Sequence, residues 1–280
     1  MSQKFNIALT GANGFVGRQI LKELLRRNCS VRCIVRDKKS LRELVSSEKV
    51  EAIEVKDLFQ MRDSMLREVV EGIKILIHPA WHVPPGNYLD GGENLTCLHG
   101  TLNIATAFIK AGGEKFVGVG TCGEYAASSD PLRVDSPLGA RTLYAASKAA
   151  VFQVLTNYLG PQGVSFAWCR LFYLYGEGEH PERLVPYIHR QLARGEKVLI
   201  KEGAQILDFM DVQAAGTAIA QVALSKNSGA FNICSGVGTR VRDLAQRVAR
   251  EYGKSDLLEF EHQNSEGEST CIVGCPSVIY

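Results

Sequence analysis

Short apolar runs alternate with amphipathic stretches through the first 171 residues, and this alternation limits the fold more than any other feature. The apolar runs are rich in β-branched and aromatic residues, and we predict strands at 5–9, 31–35, 50–55, 73–77, 116–119 and 166–171. The stretches between them predict helices at 16–27, 40–46, 61–70, 94–111 and 142–159. Strands that alternate with helices form a parallel sheet covered on both faces. The sequence therefore predicts a doubly wound α/β fold.

A glycine-rich turn joins the first predicted strand to the first helix. It reads Thr10-Gly11-Ala12-Asn13-Gly14-Phe15-Val16-Gly17. The backbone N–H groups of such a turn and the N-terminus of the next helix face a pyrophosphate, and glycine lets the phosphates approach closely. Its position in the first βα unit predicts a Rossmann-type dinucleotide site. The residues expected to contact the cofactor there are Gly11, Asn13, Gly14, Phe15, Val16 and Gly17.

The end of the second predicted strand selects between the two nicotinamide dinucleotides. An acid there accepts hydrogen bonds from a ribose 2′-hydroxyl, whereas a cation pairs with a 2′-phosphate. Arg36 holds this place, and Lys38 and Lys39 follow it closely. We therefore expect NADP(H) to be preferred over NAD(H). The adjacent Asp37 leaves the opposite preference open, as does the alternative that Arg36 is a solvated surface charge.

Tyr144 and Lys148 stand four residues apart on a predicted helix, so both side chains leave it from one face. A free tyrosine ionises at about pH 10, and a nearby ammonium lowers the pKa of the phenol. The pair is therefore a candidate acid–base catalyst near neutral pH.

These motifs together resemble the short-chain dehydrogenase/reductase superfamily. The turn has its GxxGxxG spacing, and the YxxxK pair lies between the fifth and sixth strands, where that superfamily has its catalytic Tyr and Lys. The resemblance implies that Tyr144 and Lys148 are catalytic and also contact the cofactor. It further implies that Asp57 and Leu58, which end the third strand, contact the adenine edge. The alternative for Asp57 is a turn or helix cap.

The extended branch of the superfamily has a Ser or Thr four residues before a tyrosine, as Thr121 stands before Tyr125. The resemblance implies that the Thr121 hydroxyl hydrogen-bonds the reacting carbonyl. The alternative is a threonine that ends a strand because of its β-propensity. Asn94 matches an asparagine that supports the site in this branch, with a helix N-cap as the alternative.

Four later segments extend the resemblance from Phe5 to about Pro276, at 170–176, 180–186, 208–212 and 232–236. They identify the chain as similar to nucleotide-sugar epimerases, dehydratases and reductases. In that family the second lobe holds a nucleoside diphosphate sugar. The residues implied or expected to contact the substrate are Trp81, His82, Thr121, Cys122, His180, Arg183 and Leu184. Aromatic residues such as Trp81 can instead anchor their loop. Two departures, Tyr173 for asparagine and Leu207 for arginine, keep a non-nucleotide ketone open as the substrate.

The residues after Thr121 distinguish the chemistries within the family. A 4,6-dehydratase uses an Asp-Glu pair there to remove a proton at C5 and expel hydroxide at C6, whereas this chain has Cys122 and Gly123. The segments at 120–125 and 81–88 are most similar to those of nucleotide-sugar 4-ketoreductases. We therefore expect reduction of a nucleoside-diphosphate-linked 4-keto-6-deoxyhexose, with an epimerase that forms a transient ketone as the alternative. An epimerase cysteine would stand at Gly123, so Cys122 is expected to pack as an apolar residue.

The predicted domain organisation rests on a change in composition and in element length along the chain. After residue 171 glycine and proline become frequent and the predicted elements shorten. We expect an NADP-binding Rossmann domain at 1–171, completed by segments near 205–236, and a smaller, partly interleaved substrate-binding lobe at 172–280. The resemblance implies a homodimer through the two long helices at 94–111 and 142–159. The presence of Thr121, Tyr144 and Lys148 also argues against a cofactor-binding regulator that has lost its catalytic activity.

Charge and cysteine content exclude other classes of protein. Among 280 residues, 32 Lys and Arg oppose 30 Asp and Glu, which leaves no basic surface for nucleic acid or anionic membranes. No apolar run approaches the roughly 18 residues of a membrane span, and we expect no export signal, because the N-terminus leads directly into the first predicted strand. The eight cysteines lack CxxC pairs or zinc spacing. We therefore expect a cytoplasmic enzyme with reduced thiols, no metal, and no nucleic-acid or membrane partner.

Overall fold

The computed structural model describes residues 5–41, 48–84, 86, 88–201, 203–261 and 270–279. The strands are β1 (Ile7–Thr10), β2 (Val31–Val35), β3 (Val50–Glu54), β4 (Ile75–His78), β5 (Lys115–Thr121), β6 (Ser165–Leu171), β7 (Tyr173–Tyr175), β8 (Val198–Ile200), β9 (Ile206–Asp211), β10 (Gly229–Ile233), β11 (Gly238–Arg240), β12 (Leu258–Phe260) and β13 (Cys271–Ile272). The helices are α1 (Phe15–Arg26), α2 (Asp63–Val69), α3 (Glu93–Lys110), α4 (Leu143–Leu159), α5 (Leu184–Arg194), α6 (Val212–Leu224) and α7 (Val241–Glu251).

Seven strands form one large parallel sheet in the order β3-β2-β1-β4-β5-β6-β10. The chain starts in the middle, at β1, winds outward to β3, and then crosses back to β4. Neighbouring loops therefore leave β1 and β4 in opposite directions, and the crevice between them lies at the carboxyl ends of the strands. Ligands of open α/β sheets bind at this reversal point.

Helices cover both faces of the large sheet because its strands alternate their side chains. Ile7 and Leu9 of β1 belong to one core cluster, into which α1 and α6 pack. Ala8, between them in sequence, points to the opposite cluster, which contains Phe108 of α3 and Val151 of α4. The doubly wound α/β fold predicted from the sequence is confirmed.

A second lobe is built from β7, β8, β9, β11, β12, β13, α5 and α7. Strand β9 pairs with β7, β11 and β13, and β8 pairs with β12. A separate apolar cluster joins α5 and α7 to these strands. Between β9 and β11 the chain returns to the large sheet through α6 and β10. The division into units at residue 171 stays a prediction.

The predicted elements agree with the observed ones to within a few residues, and the strand predicted at 31–35 agrees with β2 residue for residue. The exception is the helix predicted at 40–46. A short 3-10 turn, Lys38–Leu41, stands at its start, and the remainder lies outside the described residues. All eight cysteines have free thiols. In the described part of the chain, no helix has both the length and the apolar character to cross a membrane.

Candidate functional site

A cleft of about 1590 Å³ lies at the carboxyl ends of the large sheet and is lined on its other side by the second lobe. Ten of the residues predicted to form the site line this cleft. They are Phe15, Val16, Trp81, Thr121, Cys122, Tyr144, Lys148, His180, Arg183 and Leu184. His82 is the exception among the expected substrate contacts, because its exposed side chain lines a separate depression with Pro84 and Tyr88.

The glycine-rich turn has the geometry that close approach of a phosphate requires. Gly11 has a φ of 60°, a conformation that favours glycine. A Cβ on Gly17 would lie 2.0 Å from the Gly11 carbonyl oxygen, so α1 packs against the turn too closely for any side chain. Gly14 is the N-cap of α1 and has no side chain to cap it. The first N–H groups of α1 therefore remain available, and the turn fits a dinucleotide pyrophosphate.

The end of β2 presents cations, while its single acid is engaged locally. Asp37 Oδ1 accepts a hydrogen bond of 2.8 Å from the Lys39 backbone N–H, so the carboxylate closes the turn after β2. Arg36 is exposed. Asn13 Nδ2 donates to Ser40 Oγ at 3.0 Å and thereby ties this turn to the glycine-rich turn.

Asp57 and Leu58 have structural contacts in the structure. Asp57 Oδ1 accepts from the Phe59 N–H at 2.9 Å, and Oδ2 accepts from Gln60 Nε2 at 2.8 Å. Asp57 therefore caps the short turn that follows β3. Leu58 is buried in the core cluster beneath α3 and α4. Their contact with the adenine edge stays a prediction.

Thr121 lies at the end of β5, where a turn fixes its side chain. Its Oγ1 accepts from the Gly123 N–H at 3.2 Å, and its own N–H donates to Glu124 Oε1 at 2.9 Å. Glu124 is fully buried and paired with Arg170 at 2.8 Å. Trp168 Nε1 also donates to the Glu124 carboxylate. The sequence did not predict this buried pair, whose only local signal is Glu three residues after a capping threonine.

Tyr144 opens α4 beside Thr121 and is half-buried. Its backbone N–H donates to the Leu89 carbonyl at 2.8 Å, and the Tyr88 ring packs against its edge with centroids 5.2 Å apart. The lowered pKa predicted for Tyr144 from its spacing to Lys148 is wrong: burial raises the pKa of Tyr144 above its ordinary value, and Tyr88 and Glu124 raise it further. The Thr121 hydroxyl lowers it, because a donor to the phenolate favours the ionised form.

Lys148 lies one turn further along α4 and is almost completely buried, with a relative exposure of 2%. Its Nζ donates to the Val119 carbonyl at 2.7 Å and lies 6.0 Å from the centroid of the Tyr144 ring. Burial lowers the pKa of Lys148 to about 7, against an opposing contribution from Glu124. Lys148 thus donates to the backbone of β5.

Asn94 holds the loop between β4 and α3, which we call the β4–α3 loop. It is buried, accepts from Trp81 Nε1 at 2.8 Å, and donates to the carbonyls of Tyr88 and Gly91 at 2.7 and 2.9 Å. The N-cap of α3 is Gly92, so the capping alternative for Asn94 is wrong. The supporting position that the sequence suggested for Asn94 is consistent with these contacts.

The second-lobe side of the cleft contains more loosely held polar groups. Arg183 is exposed, and its guanidinium stacks on the Tyr88 ring at 5.2 Å. Glu179, which the sequence analysis missed, is half-buried in the loop before α5 and accepts from the Gly176 N–H at 3.4 Å. Burial raises the pKa of Glu179 to about 7. Across the cleft, burial raises the pKa of the Cys122 thiol to about 12, as expected for an apolar packing residue.

The two residues that depart from the family pattern, Tyr173 and Leu207, also line the cleft. Tyr173 lines it next to Phe209, with ring centroids 6.0 Å apart, and Leu207 is buried behind them. Asp208, which follows Leu207, is fully buried and accepts four hydrogen bonds from Ser235, Gly236 and Gly274. Asp208 is therefore engaged in the lobe itself.

Comparison with known proteins identifies relatives over nearly the whole chain. The model of the NAD dependent epimerase/dehydratase family matches residues 7–234. The dTDP-6-deoxy-L-talose 4-dehydrogenase (NAD(+)) of Aggregatibacter actinomycetemcomitans is 24% identical, over 88% of this chain and 90% of the relative. The UDP-glucose 4-epimerase of Bacillus subtilis is 26% identical, over 95% of this chain and 87% of the relative.

Solved structures show the same fold. A double mutant of the dTDP-glucose 4,6-dehydratase of Streptomyces venezuelae with NAD bound superposes with a TM-score of 0.83 at 20% identity, over 96% of this chain and 88% of the other. The UDP-glucose 4-epimerase of Thermotoga maritima superposes with a TM-score of 0.84 at 18% identity, over 97% and 90%. Identities at this level support the fold and leave the reaction to the site itself.

Proposed function

The chain belongs to the NAD dependent epimerase/dehydratase family, and we propose that it reduces a nucleoside-diphosphate-linked 4-keto-6-deoxyhexose to the 4-hydroxy sugar. The observation that carries this proposal is the convergence of Thr121, Tyr144 and Lys148 on one cleft beside the glycine-rich turn. A nicotinamide dinucleotide held at that turn would supply the hydride that adds at C4 and would itself be oxidised, while the ketone oxygen gains one proton.

Each of the three side chains has a distinct role in this proposal. In the proposed complex the Thr121 hydroxyl, whose Oγ1 accepts from the Gly123 N–H, donates its proton to the carbonyl oxygen of the sugar. Tyr144 donates its phenol proton to the oxygen as negative charge develops there. Lys148 holds the ribose next to the nicotinamide and supplies positive charge near Tyr144. Arg183 and Leu184 bind the nucleotide part of the substrate from the second lobe.

Chemistry at C4 is supported by the named activity of one relative. A 4-dehydrogenase of dTDP-6-deoxy-L-talose oxidises the C4 hydroxyl, and the reverse of that reaction is reduction of a 4-keto sugar. The residues after Thr121 favour this reaction over dehydration, because Cys122 and Gly123 offer no acid–base pair. Burial raises the pKa of the Cys122 thiol and keeps it protonated, which argues against its use as the base of an epimerase.

We propose that NADP(H) is preferred, although the relatives with a cofactor in their names or titles carry NAD. The proposal is supported by the exposed Arg36 at the end of β2 and by the local engagement of the Asp37 carboxylate. Arg36→Gln should therefore lower the ratio of kcat/KM for NADPH over NADH about tenfold, as loss of roughly 1.4 kcal/mol implies. An unchanged ratio would contradict the role of Arg36.

The activity is tested by absorbance of the reduced nicotinamide. The protein is given dTDP-4-keto-6-deoxyglucose with NADPH or NADH, and Tyr144→Phe is the control that keeps the ring and removes the proton. Oxidation of the cofactor that disappears in the variant supports the reductase. Isomerisation of a nucleotide sugar without net oxidation of the cofactor supports the epimerase alternative. Reduction of ketones that carry no nucleotide supports the second alternative, a reductase of non-nucleotide ketones.

A homodimer through α3 and α4 is part of the same proposal. Leu95 of α3 and Val154 and Tyr158 of α4 are exposed apolar side chains on the helices that the sequence analysis assigned to the interface. Light scattering of the wild type and of Val154→Lys tests this, since a lysine there should convert a dimer to a monomer. A monomeric wild type would overturn the proposal.

A further inference from the structure

The Lys148 ammonium has an aromatic neighbour that the sequence analysis assigned to the sugar. The Nζ atom lies 3.9 Å from the ring centroid of Trp81, which places the charge over the face of the indole. The Trp168 and Tyr144 rings are more distant, at 5.9 and 6.0 Å. Trp81 therefore makes the closest aromatic contact with the ammonium in the described part of the chain.

The indole is held in this position from behind. Its Nε1 donates to Asn94 Oδ1 at 2.8 Å, and Asn94 is itself buried and fixed by two loop carbonyls. The edge of the Trp81 ring also packs against Tyr144, with centroids 6.3 Å apart and planes at 79°. Trp81 thus contacts both members of the YxxxK pair from the β4–α3 loop.

We propose that the indole face of Trp81 seats the Lys148 ammonium and keeps it charged, which makes Trp81 a positioning residue for the Tyr144–Lys148 pair. This role rests on the proposed function for its consequence in turnover, but the electrostatic contact with Lys148 does not. Burial takes the ammonium out of water and disfavours the cation. The negative face of an aromatic ring attracts a cation, and the attraction is strongest where water is excluded.

The other groups around Lys148 do not replace this contribution. The Val119 carbonyl accepts one hydrogen bond from Nζ. Glu124 attracts the ammonium but already accepts from Arg170 and Trp168. Among the remaining titratable neighbours, Cys97 and Tyr144 have raised pKa values and stay neutral near pH 7, and His78 has a pKa lowered to about 3 and is neutral as well.

The test weakens the indole face without changing its shape. Tryptophan at position 81 is replaced by monofluoro-, difluoro- and trifluorotryptophan, which preserve the ring volume and the N–H donor. The titration of Lys148 is followed by the ¹³Cε resonance in lysine-labelled protein, assigned with Lys148→Met. We expect the pKa of Lys148 to fall stepwise, by about one unit for the trifluorinated ring.

The second tryptophan of the chain provides the matched control. Trp168 lies 5.9 Å from the same ammonium, so trifluorination at position 168 should shift the Lys148 titration much less than at 81. An unchanged or upward shift at position 81, or equal shifts at both positions, would overturn the proposal.

A second measurement connects the contact to catalysis. In the wild type and the fluorinated proteins, the limb of the pH–rate profile that follows Lys148 should move by the same amount as the resonance. A limb that stays fixed while the resonance moves would contradict the positioning role. If no sugar ketone is reduced at all, the proposed function fails, while the titration still decides whether Trp81 supports the charge.

Discussion

The two sides of the cleft hold their polar groups in different ways. Where β5 meets α4, Glu124 and Arg170 form a fully buried ion pair, and Lys148 is buried with a short hydrogen bond to the backbone. On the second-lobe side, Arg183 is exposed and Glu179 accepts one long hydrogen bond. Groups fixed by the sheet suit a reaction that needs constant geometry, whereas loosely held groups suit recognition of a bound substrate. This difference supports the proposal that the chemistry takes place on the first side and substrate binding on the second.

The largest effect that sharpens this contrast is on stability. Arg170→Met removes one partner of the buried ion pair and leaves the Glu124 carboxylate unpaired, which should lower the free energy of unfolding by about 4 kcal/mol. Arg183→Met, on the opposite side, is the matched control and should change it by less than about 0.5 kcal/mol. Urea denaturation measures both. Similar losses in the two variants would remove the difference between the two sides.

Turnover should depend on the hydroxyl at the end of β5. Thr121→Val removes the donor to the carbonyl oxygen and should lower kcat about 100-fold, since a single oxyanion donor contributes this much. Thr121→Ser keeps both the hydroxyl and the contact with Gly123, and should restore most of kcat. If serine is as inactive as valine, the methyl group and not the donor is what the site requires.

Substrate binding should depend on the second-lobe cation. Arg183→Gln should raise KM for the sugar nucleotide about tenfold and leave kcat unchanged, because the contact is equal in the ground state and the transition state. Steady-state kinetics with the cofactor saturating separates the two constants. A fall in kcat of the same size would place Arg183 in the chemical step and would remove this difference between the two sides of the cleft.

The smallest predicted effect is the pH dependence contributed by Glu179. Burial raises the pKa of this carboxyl to about 7 in the folded protein, so its contribution to stability is lost as the pH rises from the unfolded value toward 7. Glu179→Gln should therefore raise the free energy of unfolding by about 1 kcal/mol at pH 8, after allowance for solvent screening. Below about pH 4 the gain should vanish. A gain that is equal at both pH values would show that the charge is not its source.

Local features were predictable from the sequence, and long-range pairings were not. Strand alternation and glycine spacing act within a few residues, so they predicted β2 and the turn around Gly11. Glu124 and Arg170 are 46 residues apart, and nothing local indicates that they meet. Helix spacing predicted that Lys148 lies beside Tyr144, yet the aromatic ring closest to the Lys148 ammonium is that of Trp81, from another part of the chain. Spacing predicts a shared face of a helix, while tertiary packing selects the partner.

The most direct test of the central claim is the mass of the sugar product. The protein is incubated with dTDP-4-keto-6-deoxyglucose in two parallel reactions. One contains NADPH deuterated at the first of the two hydrogen positions on C4 of the nicotinamide, and the other contains NADPH deuterated at the second. We expect one of the two cofactors to transfer deuterium, giving a product that is one deuterium heavier at C4 and an equal amount of oxidised cofactor. Unlabelled sugar with both cofactors, or an isomer formed without oxidation, would contradict hydride addition in this cleft.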